Sequence, residues 1–433
     1  MNSVNSSFSG TVSRSAARVL AIVLFAGLIS APATARADDI VLHWNEIAAR
    51  TATATNPFNQ SRIAAIVQLA VFEAVNAITG DYEPYLNPAI VAAPGASVEA
   101  AVIVAAHKVM TTYFPAATAA LNAARDTDLG AIPDGSAKTD GIAVGLAAAN
   151  AMIALRAADG SSPLLAIIPT STAAGHYQLT TGCAAATFYN WQYVTPFGIA
   201  HASTFLLSPP LPLANNRYAK DYVEVKTVGA STSADRLADR ADVARLYASV
   251  SPSFVLSMAT RQVAAQKGTS LSENARALAL IHMAASDSLV ASFLNKYHYN
   301  LWRPETGIRN GAADGNDKTE GDPDFATFIP TPCFPSYPSN HASGTNGGLE
   351  VMRRLFGAAG YDITIANNVP ALGSLPPTAI AKFYTQLEEI GDDVDDARVY
   401  GGIHWRYDQD AGNVLGRAIG TEVVKNNLRP VHP

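Results

Sequence analysis

Apolar residues recur at helical spacing along most of the chain, and few stretches alternate between apolar and polar residues as a strand would. Residues 40–157 contain several such stretches, and residues 216–265 return to the same pattern with charged faces. The clearest one covers residues 270–302, where Pro304 stops the helix because the residue before a proline avoids the α region. The pattern therefore predicts an all-α fold.

Two further regions complete the predicted architecture. Residues 158–215 are rich in aromatics and prolines without a clear period, which predicts a long ordered loop wrapping the helices. A last helix is predicted within residues 394–424. It would contain Gly401 and Gly402, and because two glycines inside a helix cost roughly 1–2 kcal/mol, they indicate close packing or a ligand.

The N-terminus has the features of a secretory signal. Arg14 and Arg18 precede the apolar stretch "VLAIVLFAGLIS", and the small residues of "ATARA" follow it. We predict a signal peptide over residues 1–37 and a secreted or periplasmic protein, because the apolar stretch is too short for a comfortable membrane anchor. Residues 38–433 are predicted to form a single domain without a stable membrane span, with a helical part at 38–265 and the functional site in 266–433.

Charge and cysteine content limit the function classes. The whole chain has a formal charge of −6, and removal of residues 1–37 takes away three arginines and no acid, leaving 27 basic against 36 acidic residues, or −9. Such an acidic protein is unsuited to binding nucleic acid, so any anion site must be built from a few cations gathered locally. Cys183 and Cys333 are too few for a disulfide scaffold, and the sequence leaves open whether they pair or remain buried thiols.

Three short segments carry candidate chemistry. In "KYHYNLWRP", Lys296 and Arg303 are seven residues apart, which would place them on nearly one face of a helix. In "ARVYGGIHWRYDQDAG", His404 and Asp408 are four apart, so on a helix the carboxylate would reach the ring and fix its tautomer. Taken alone, the first segment is more typical of exposed cations near a helix end, and the second is also typical of an ion pair on a helix.

The third segment, "PSYPSNHASG", predicts a helix start. Ser339 or Asn340 would cap the helix, which places His341 in the first turn, where backbone N–H groups favour an anion. Together with Lys296 and Arg303, and with Arg398 of the second segment, this set suits a tetrahedral or trigonal-bipyramidal oxyanion. One histidine would bond to the central atom while the other moves a proton.

The order K-x6-R-P, P-S-x-H and R-x5-H-x3-D resembles the signature of the vanadium-dependent haloperoxidases, bacterial branch, and of the type 2 phosphatidic acid phosphatase superfamily. The resemblance implies a helical bundle with an oxyanion pocket at one end and long ordered loops. In that family the corresponding cations neutralise the oxyanion, a serine and a backbone N–H add hydrogen bonds, one histidine binds vanadate, the other is the acid–base partner and an aspartate orients the ligand. By this resemblance the cations here are Lys296, Arg303 and Arg398, and the hydrogen bonds come from the hydroxyl of Ser339 and the backbone N–H of Asn340. His404 is the implied vanadate ligand, His341 the acid–base partner and Asp408 the residue that orients His404.

Two enzyme classes follow from the resemblance. The first is a vanadium-dependent haloperoxidase with vanadate as cofactor, hydrogen peroxide and a halide as reactants, a small organic substrate as halogen acceptor, and room for a homodimer. The alternative is a phosphohydrolase that acts on phosphate esters through a phosphorylated His404 and needs no cofactor. A third interpretation is a non-catalytic oxyanion-binding protein. We favour the haloperoxidase and expect the rings of Trp302 and Phe334 to form an apolar edge of the pocket.

The chain departs from the family pattern in two places. Asn340 stands where the family usually has glycine, and Ala397 stands where a serine often precedes the arginine. Asn340 keeps the backbone N–H, but its side chain adds bulk next to the oxyanion that glycine would not.

Overall fold

The structure is a computed structural model that describes residues 39–431, so the predicted signal peptide lies outside the described residues. Helices dominate it, as the apolar spacing predicts. In chain order they are α1 Ile40–Ala52, α2 Pro57–Thr79, α3 Val98–Tyr113, α4 Thr118–Gly130, α5 Ser136–Leu155, α6 Asn216–Val228, α7 Ala238–Ser249, α8 Pro252–Lys267, α9 Leu271–Tyr299, α10 Pro304–Arg309, α11 Asn340–Phe356, α12 Leu387–Tyr400 and α13 Arg406–Asn426. The all-α prediction is confirmed with one small exception.

The exception is an antiparallel hairpin of β1 Ala359–Val369 and β2 Thr378–Gln386. Tyr361, Ile363 and Ile365 alternate with more exposed neighbours, which is the period of a half-buried strand. The side chain of Gln262 in α8 holds the hairpin, because it both donates to and accepts from the backbone of Thr364 at 2.9 Å. The hairpin was not predicted, because this alternation is short and the rest of the chain has helical spacing.

Helix α9 is the central element, and α2, α11 and α13 pack against it. Ser270 caps its start, with Glu273 completing a capping box. The helix ends at Tyr299, because Asn300 adopts a left-handed conformation with φ 48°. The predicted helix over 270–302 is therefore three residues too long, and Arg303 lies beyond it.

The last predicted helix is wrong in one respect, because residues 394–424 are divided between α12 and α13. The chain turns at Gly402, whose φ of +80° strongly favours glycine. A Cβ atom there would lie 2.3 Å from the carbonyl oxygen of Gly229. The two glycines are thus not inside a helix, and Gly402 provides the close packing that the sequence indicated.

The long segment between α5 and α6 is an ordered loop with short 3-10 turns, as predicted. Asp287, fully buried in α9, accepts hydrogen bonds from the backbone N–H groups of Phe197, Gly198 and Ile199 at 2.6, 2.7 and 3.0 Å. A disulfide joins Cys183 in this loop to Cys333, which settles the question that the sequence left open. Both ties hold the loop against the part of the chain that carries the site.

Among the described residues, α2 and α9 are long and apolar enough to cross a membrane. In both helices most of the apolar window is covered by protein, 78% in α2 and 94% in α9. Their apolarity is therefore explained by their position in the core. These two helices come from the two predicted parts of the domain and pack directly on each other.

Candidate active site

The "PSYPSNH" segment forms the start of α11, as predicted. Ser339 is the N-cap, and its hydroxyl accepts from the N–H of Ala342 at 3.4 Å. Its own backbone N–H donates to the carbonyl of Asp408 at 2.9 Å, which joins the first turns of α11 and α13. Asn340 opens the helix, so its N–H has no acceptor within the helix and is available to an anion.

Lys296 lies in the last turn of α9 and is fully buried. Its ammonium donates to the carbonyl oxygens of Pro335 at 2.9 Å and Ser336 at 2.6 Å, which leaves one of its three donors. Burial lowers the pKa of Lys296 well below its ordinary value, and the charge of Arg303 lowers it further. The ammonium is thus anchored by backbone dipoles rather than by a direct carboxylate.

Arg303 is the N-cap residue of α10. The prediction that it shares a helical face with Lys296 is therefore wrong. Its Nε donates to the carbonyl of Phe334 at 2.8 Å, and its Nη1 donates to the carbonyl of Ile403 and to Nε2 of His404, both at 2.9 Å. Burial lowers the pKa of Arg303 to about 10. The guanidinium therefore reaches His404 because of the course of the loop after α9, and not because of the helical spacing from Lys296.

His404 and Asp408 meet, although not as a pair on one helical face. His404 lies two residues before α13, and Asp408 lies in its first turn. The Nδ1 of His404 is 2.8 Å from Oδ2 of Asp408. Because the carboxylate accepts, the proton of the ring is on Nδ1, and the lone pair of Nε2 faces the guanidinium of Arg303.

Ser336 completes this unit, and the sequence analysis missed it. Its hydroxyl donates to the same Oδ2 of Asp408 at 2.5 Å and lies 3.4 Å from Nδ1 of His404. Burial raises the pKa of Asp408 to about 7, against the opposing effect of the Ser336 hydrogen bond. Burial also lowers the pKa of His404 well below its ordinary value, and Arg303 adds to that shift. Ser336 stands outside every helix and matches no motif, so only the folded loop reveals it.

Arg398 and His341 provide the other side of the site. Arg398, in the last turn of α12, is buried and donates from Nη1 to the carbonyl of Tyr247 at 3.3 Å. Burial lowers its pKa to about 9, and the nearby Arg303 lowers it further. Burial followed by the charge of Arg398 lowers the pKa of His341 well below its ordinary value, while a backbone hydrogen bond with Val250 opposes the shift. His341 is therefore neutral at neutral pH.

A cavity of about 400 Å³ connects these segments. Four predicted site residues line it, namely Asn340, His341, Arg398 and His404. The other four predicted residues stand behind this lining: Lys296, Arg303, Ser339 and Asp408. The structure thus brings all three segments together, with the second and third in the cavity wall and the first joined to them by the hydrogen bonds of Lys296 and Arg303.

The remaining wall of the cavity is largely apolar. Phe334 lines it, as expected, and its ring centroid lies 5.0 Å from the guanidinium carbon of Arg303 and 5.4 Å from the ammonium of Lys296. Trp302 does not line it, so that expectation is wrong. The Trp302 ring is fully buried in a separate cluster with Trp405, against Gly307.

Several buried donors around the site lack a hydrogen-bond acceptor among the described residues. They are Nη2 of Arg303, Nε of Arg398 and Nδ2 of Asn340. Unpartnered buried donors are costly, and three of them at one site indicate that absent groups supply the acceptors. A tetrahedral oxyanion such as vanadate or phosphate fits the two arginine donors, since it offers several acceptor oxygens to forked guanidinium groups.

Comparison with known proteins agrees with the geometry. Residues 276–433 match the family model described as VCPO second helical-bundle domain, and this range includes every predicted site residue. The C-terminal part of the chain is therefore similar to the second helical-bundle domain of the vanadium haloperoxidases.

Relatives in this family are distant. Vanadium chloroperoxidase from Curvularia inaequalis is 26% identical over 173 residues, which cover 31% of this chain and only 28% of the relative. The crystal structure of a bacterial vanadium-dependent iodoperoxidase superposes with a TM-score of 0.75 at 21% identity, covering 90% of this chain and 98% of that one. An apo-type bacterial vanadium-dependent chloroperoxidase superposes with a TM-score of 0.70 at 16% identity, covering 86% and 94%. The structural likeness extends the haloperoxidase fold over most of the described residues.

Proposed function

We propose that this protein is a vanadium-dependent haloperoxidase that oxidises a halide with hydrogen peroxide to hypohalous acid. The observation that carries the proposal is the state of His404. Its Nδ1–H is bonded to the buried Asp408, while its Nε2 carries the lone pair and accepts from Nη1 of Arg303, and His404 itself lines the cavity. A neutral imidazole held in this tautomer is suited to act as a ligand of a bound oxyanion's central atom.

The groups that would hold vanadate are chiefly the arginine N–H donors that have no hydrogen-bond acceptor among the described residues. Arg303 and Arg398 would donate to its oxygens with their unpartnered N–H groups, and the backbone N–H of Asn340 would add one hydrogen bond. Lys296 would contribute charge and its remaining donor. When bound, vanadate supplies a Lewis-acidic centre at which hydrogen peroxide becomes able to oxidise halide without a change of oxidation state at vanadium.

His341 is suited to proton transfer. It lies in the cavity wall and is neutral at neutral pH, so its ring can take a proton from hydrogen peroxide and return it to a leaving oxygen. Arg398 lies close enough to affect its charge state. The Ser339 hydroxyl accepts from Ala342, so its own O–H would be left to donate to an oxyanion.

The alternative, a phosphohydrolase, would use the same cations and His404 as nucleophile. The apolar wall of the cavity favours the haloperoxidase. Phe334, Pro332 and Ile329 suit a weakly hydrated halide and a neutral peroxide better than a charged, hydrated ester.

The test reconstitutes the purified protein with orthovanadate and follows bromination of a phenolic dye with hydrogen peroxide. The protein without vanadate is assayed in parallel on a phosphomonoester. We expect vanadate-dependent bromide oxidation that is lost in His404→Ala and kept in His298→Ala, which removes an exposed histidine near the end of α9. Ester hydrolysis inhibited by vanadate, without halide oxidation from acidic to neutral pH, would overturn the proposal in favour of the phosphohydrolase.

A further inference from the structure

The cavity is larger than an oxyanion needs. A water molecule occupies about 30 Å³ of liquid, so an oxyanion of five heavy atoms accounts for roughly 150 Å³ of the volume. The cavity has about 400 Å³, which lies within the range of small-molecule sites. The volume beyond the polar end is therefore sufficient for an organic molecule of one or two rings.

Three aromatic rings contribute to the wall of this remaining volume. Phe58, Phe188 and Phe334 all line it. The ring centroids of Phe58 and Phe188 are 4.6 Å apart, those of Phe58 and Phe334 are 5.8 Å apart, and both pairs meet edge to face. Such an arrangement leaves ring faces and edges for a further aromatic ring.

The backbone of Phe188 is held in an unusual conformation. Its φ of 59° lies in the left-handed region, which a bulky residue without a short polar side chain rarely adopts. Neighbouring hydrogen bonds enforce it, because Thr187 donates to the carbonyl of Cys333 from both its N–H at 2.7 Å and its hydroxyl at 3.1 Å. Strain maintained in this way is characteristic of ligand clamps, and here it points one ring into the cavity.

Asn340 provides a polar group for orientation. Its side chain is 4% exposed, and its Oδ1 accepts from the hydroxyl of Ser292 at 2.6 Å. This contact fixes the amide, whose Nδ2 has no acceptor among the described residues, and Asn340 lines the cavity. A ligand with an acceptor oxygen would satisfy it. The glycine usual in the family has no such donor.

Apolar residues continue from this wall to the surface. Ile167 pairs with Ala186, the residue before Thr187, in an antiparallel bridge. Leu165, Ile167 and Ile168 in the same segment are 46%, 37% and 64% exposed. An apolar molecule thus has an apolar surface beside the segment that forms the cavity wall.

We propose that the cavity binds a neutral aromatic molecule of one or two rings with an acceptor oxygen, of the phenol class, as the halogen acceptor. The rings would pack among Phe58, Phe188 and Phe334, and the oxygen would accept from Nδ2 of Asn340. Its role as halogen acceptor rests on the proposed function, which supplies hypohalous acid. In that step a ring carbon forms a bond to the halogen, the halogen–oxygen bond breaks, and the ring proton leaves with the hydroxide as water.

The experiment measures binding of 2-naphthol and of naphthalene to the vanadate-free protein by calorimetry or ligand fluorescence. We expect 2-naphthol to bind, and Ala248→Trp to weaken it at least tenfold, because Ala248 is exposed yet lines the cavity. The control is Ala238→Trp, which places the same ring at an exposed position of the same helix outside the cavity lining and leaves binding unchanged. Failure of the wild type to bind 2-naphthol, or equal binding by Ala248→Trp, would overturn the proposal.

Asn340→Ala tests the orienting contact. It keeps the backbone N–H and removes the amide, so binding of 2-naphthol should weaken about fivefold to tenfold while binding of naphthalene is unchanged. An equal effect on both ligands contradicts the assignment of Asn340. Because none of these measurements needs vanadate, binding without halide oxidation would overturn only the proposed function. Halide oxidation by a protein that does not bind 2-naphthol would overturn only this inference.

Discussion

The three cations of the site are held by backbone carbonyl groups. Lys296 donates to Pro335 and Ser336, Arg303 donates to Phe334 and Ile403, and Arg398 donates to Tyr247. Carbonyl dipoles orient the cations without neutralising them. Burial of like charges is costly, and here the cost maintains a positive pocket that an anion can occupy.

Asp408 determines which nitrogen of His404 can act as a ligand. Asp408→Asn keeps the shape but replaces one acceptor by an amide, so the tautomer of His404 is no longer fixed. We expect vanadate affinity to fall about 10–100-fold, the usual effect of losing such a partner of a ligating histidine. Titration of the purified protein with vanadate, followed by equilibrium dialysis, measures this.

Asp410→Asn is the matched control for that prediction. Asp410 is two residues further along α13, is exposed, and pairs with the half-exposed Arg217. Surface pairs of this kind contribute little, so its substitution should leave vanadate affinity unchanged. Equal losses in both variants would show that α13 as a whole, and not the Asp408–His404 contact, governs binding.

His341 and His404 are expected to fail in different ways. His341→Ala removes a neutral ring that lines the cavity but is not held by Asp408, so oxyanion binding should persist. Turnover should fall by about 10²–10⁴-fold, as for the loss of a general acid–base group. Parallel binding and rate measurements on both alanine variants check this, and equal loss of binding in the two would contradict the assignment.

The residue types of the site could be predicted from the sequence better than their geometry. The motif spacing identified eight residues that converge, but the expected reason for two of the contacts was wrong. Lys296 and Arg303 do not share a helix, and His404 precedes α13. Ser336 was missed because the partners of its hydroxyl are more than 60 residues away in sequence, with Asp408 at a separation of 72. Tertiary contacts of this kind leave no local periodicity.

At the scale of elements, the site is built from helix ends. Lys296 closes α9, Arg303 precedes α10, Ser339 precedes α11, Arg398 lies in the last turn of α12 and Asp408 opens α13. Helix ends carry free backbone groups and are joined by loops that approach one another. The start of α11 adds N–H groups and a favourable dipole for an anion.

Apolar periodicity predicts the buried faces of helices well and their ends poorly. This explains which elements were predicted correctly from the sequence and which were not. The buried stretches of α2 and α9 were predicted because their apolar spacing is long and regular. The breaks at Asn300 and Gly402 depend on left-handed backbone conformations stabilised by distant packing. The β1–β2 hairpin was missed for a similar reason, since its stability comes from α8 beneath it.

The disulfide ties two elements that form the cavity wall. It closes a loop between residues 150 apart, and Cys333 itself lines the cavity. Cys183→Ser with Cys333→Ser should reduce the free energy of unfolding by about 2–5 kcal/mol, measured by chemical denaturation. It should also weaken vanadate binding, because the carbonyls that anchor Arg303 and Lys296 belong to the following residues.

A reducing agent provides the control for the disulfide. It should lower the stability of the wild type towards that of the double variant and leave the double variant unchanged. Equal stability of the oxidised wild type and the variant would contradict a stabilising role. The disulfide also supports the proposal that the protein is exported, because such bonds persist in oxidising compartments.

At the scale of the whole molecule, the site opposes the overall charge. The chain carries −6, yet three buried cations gather at one cavity, with Arg398 in its wall and Lys296 and Arg303 behind the lining. An anion that approaches the cavity is therefore repelled by the net negative charge of the protein and attracted only by the positive potential near the three cations. Selectivity for oxyanions then arises from forked donors and helix N–H groups rather than from general attraction.

This charge arrangement predicts that oxyanion binding takes up protons. Without an anion, burial lowers the pKa of Lys296 well below its ordinary value, and Arg303 adds to the shift. A bound dianion offsets that repulsion and raises the pKa, so the complex holds more protons than the free protein. Affinity must then rise as pH falls through the window between the two pKa values of Lys296.

Sulfate is a suitable probe because it does not titrate near neutral pH. Its binding enthalpy, measured at pH 8 in buffers of different ionisation enthalpy, should vary with the buffer in proportion to the protons taken up. The pKa values of His341 and His404 lie below their ordinary value of about 6.5, so at pH 8 these rings are neutral in the free protein. Lys296→Met retains most of the buried stem and should bind sulfate more weakly with a smaller buffer dependence. Identical enthalpies in all buffers for the wild type would show that Lys296 is already charged in the empty pocket, and that carbonyl groups alone suffice to keep it so.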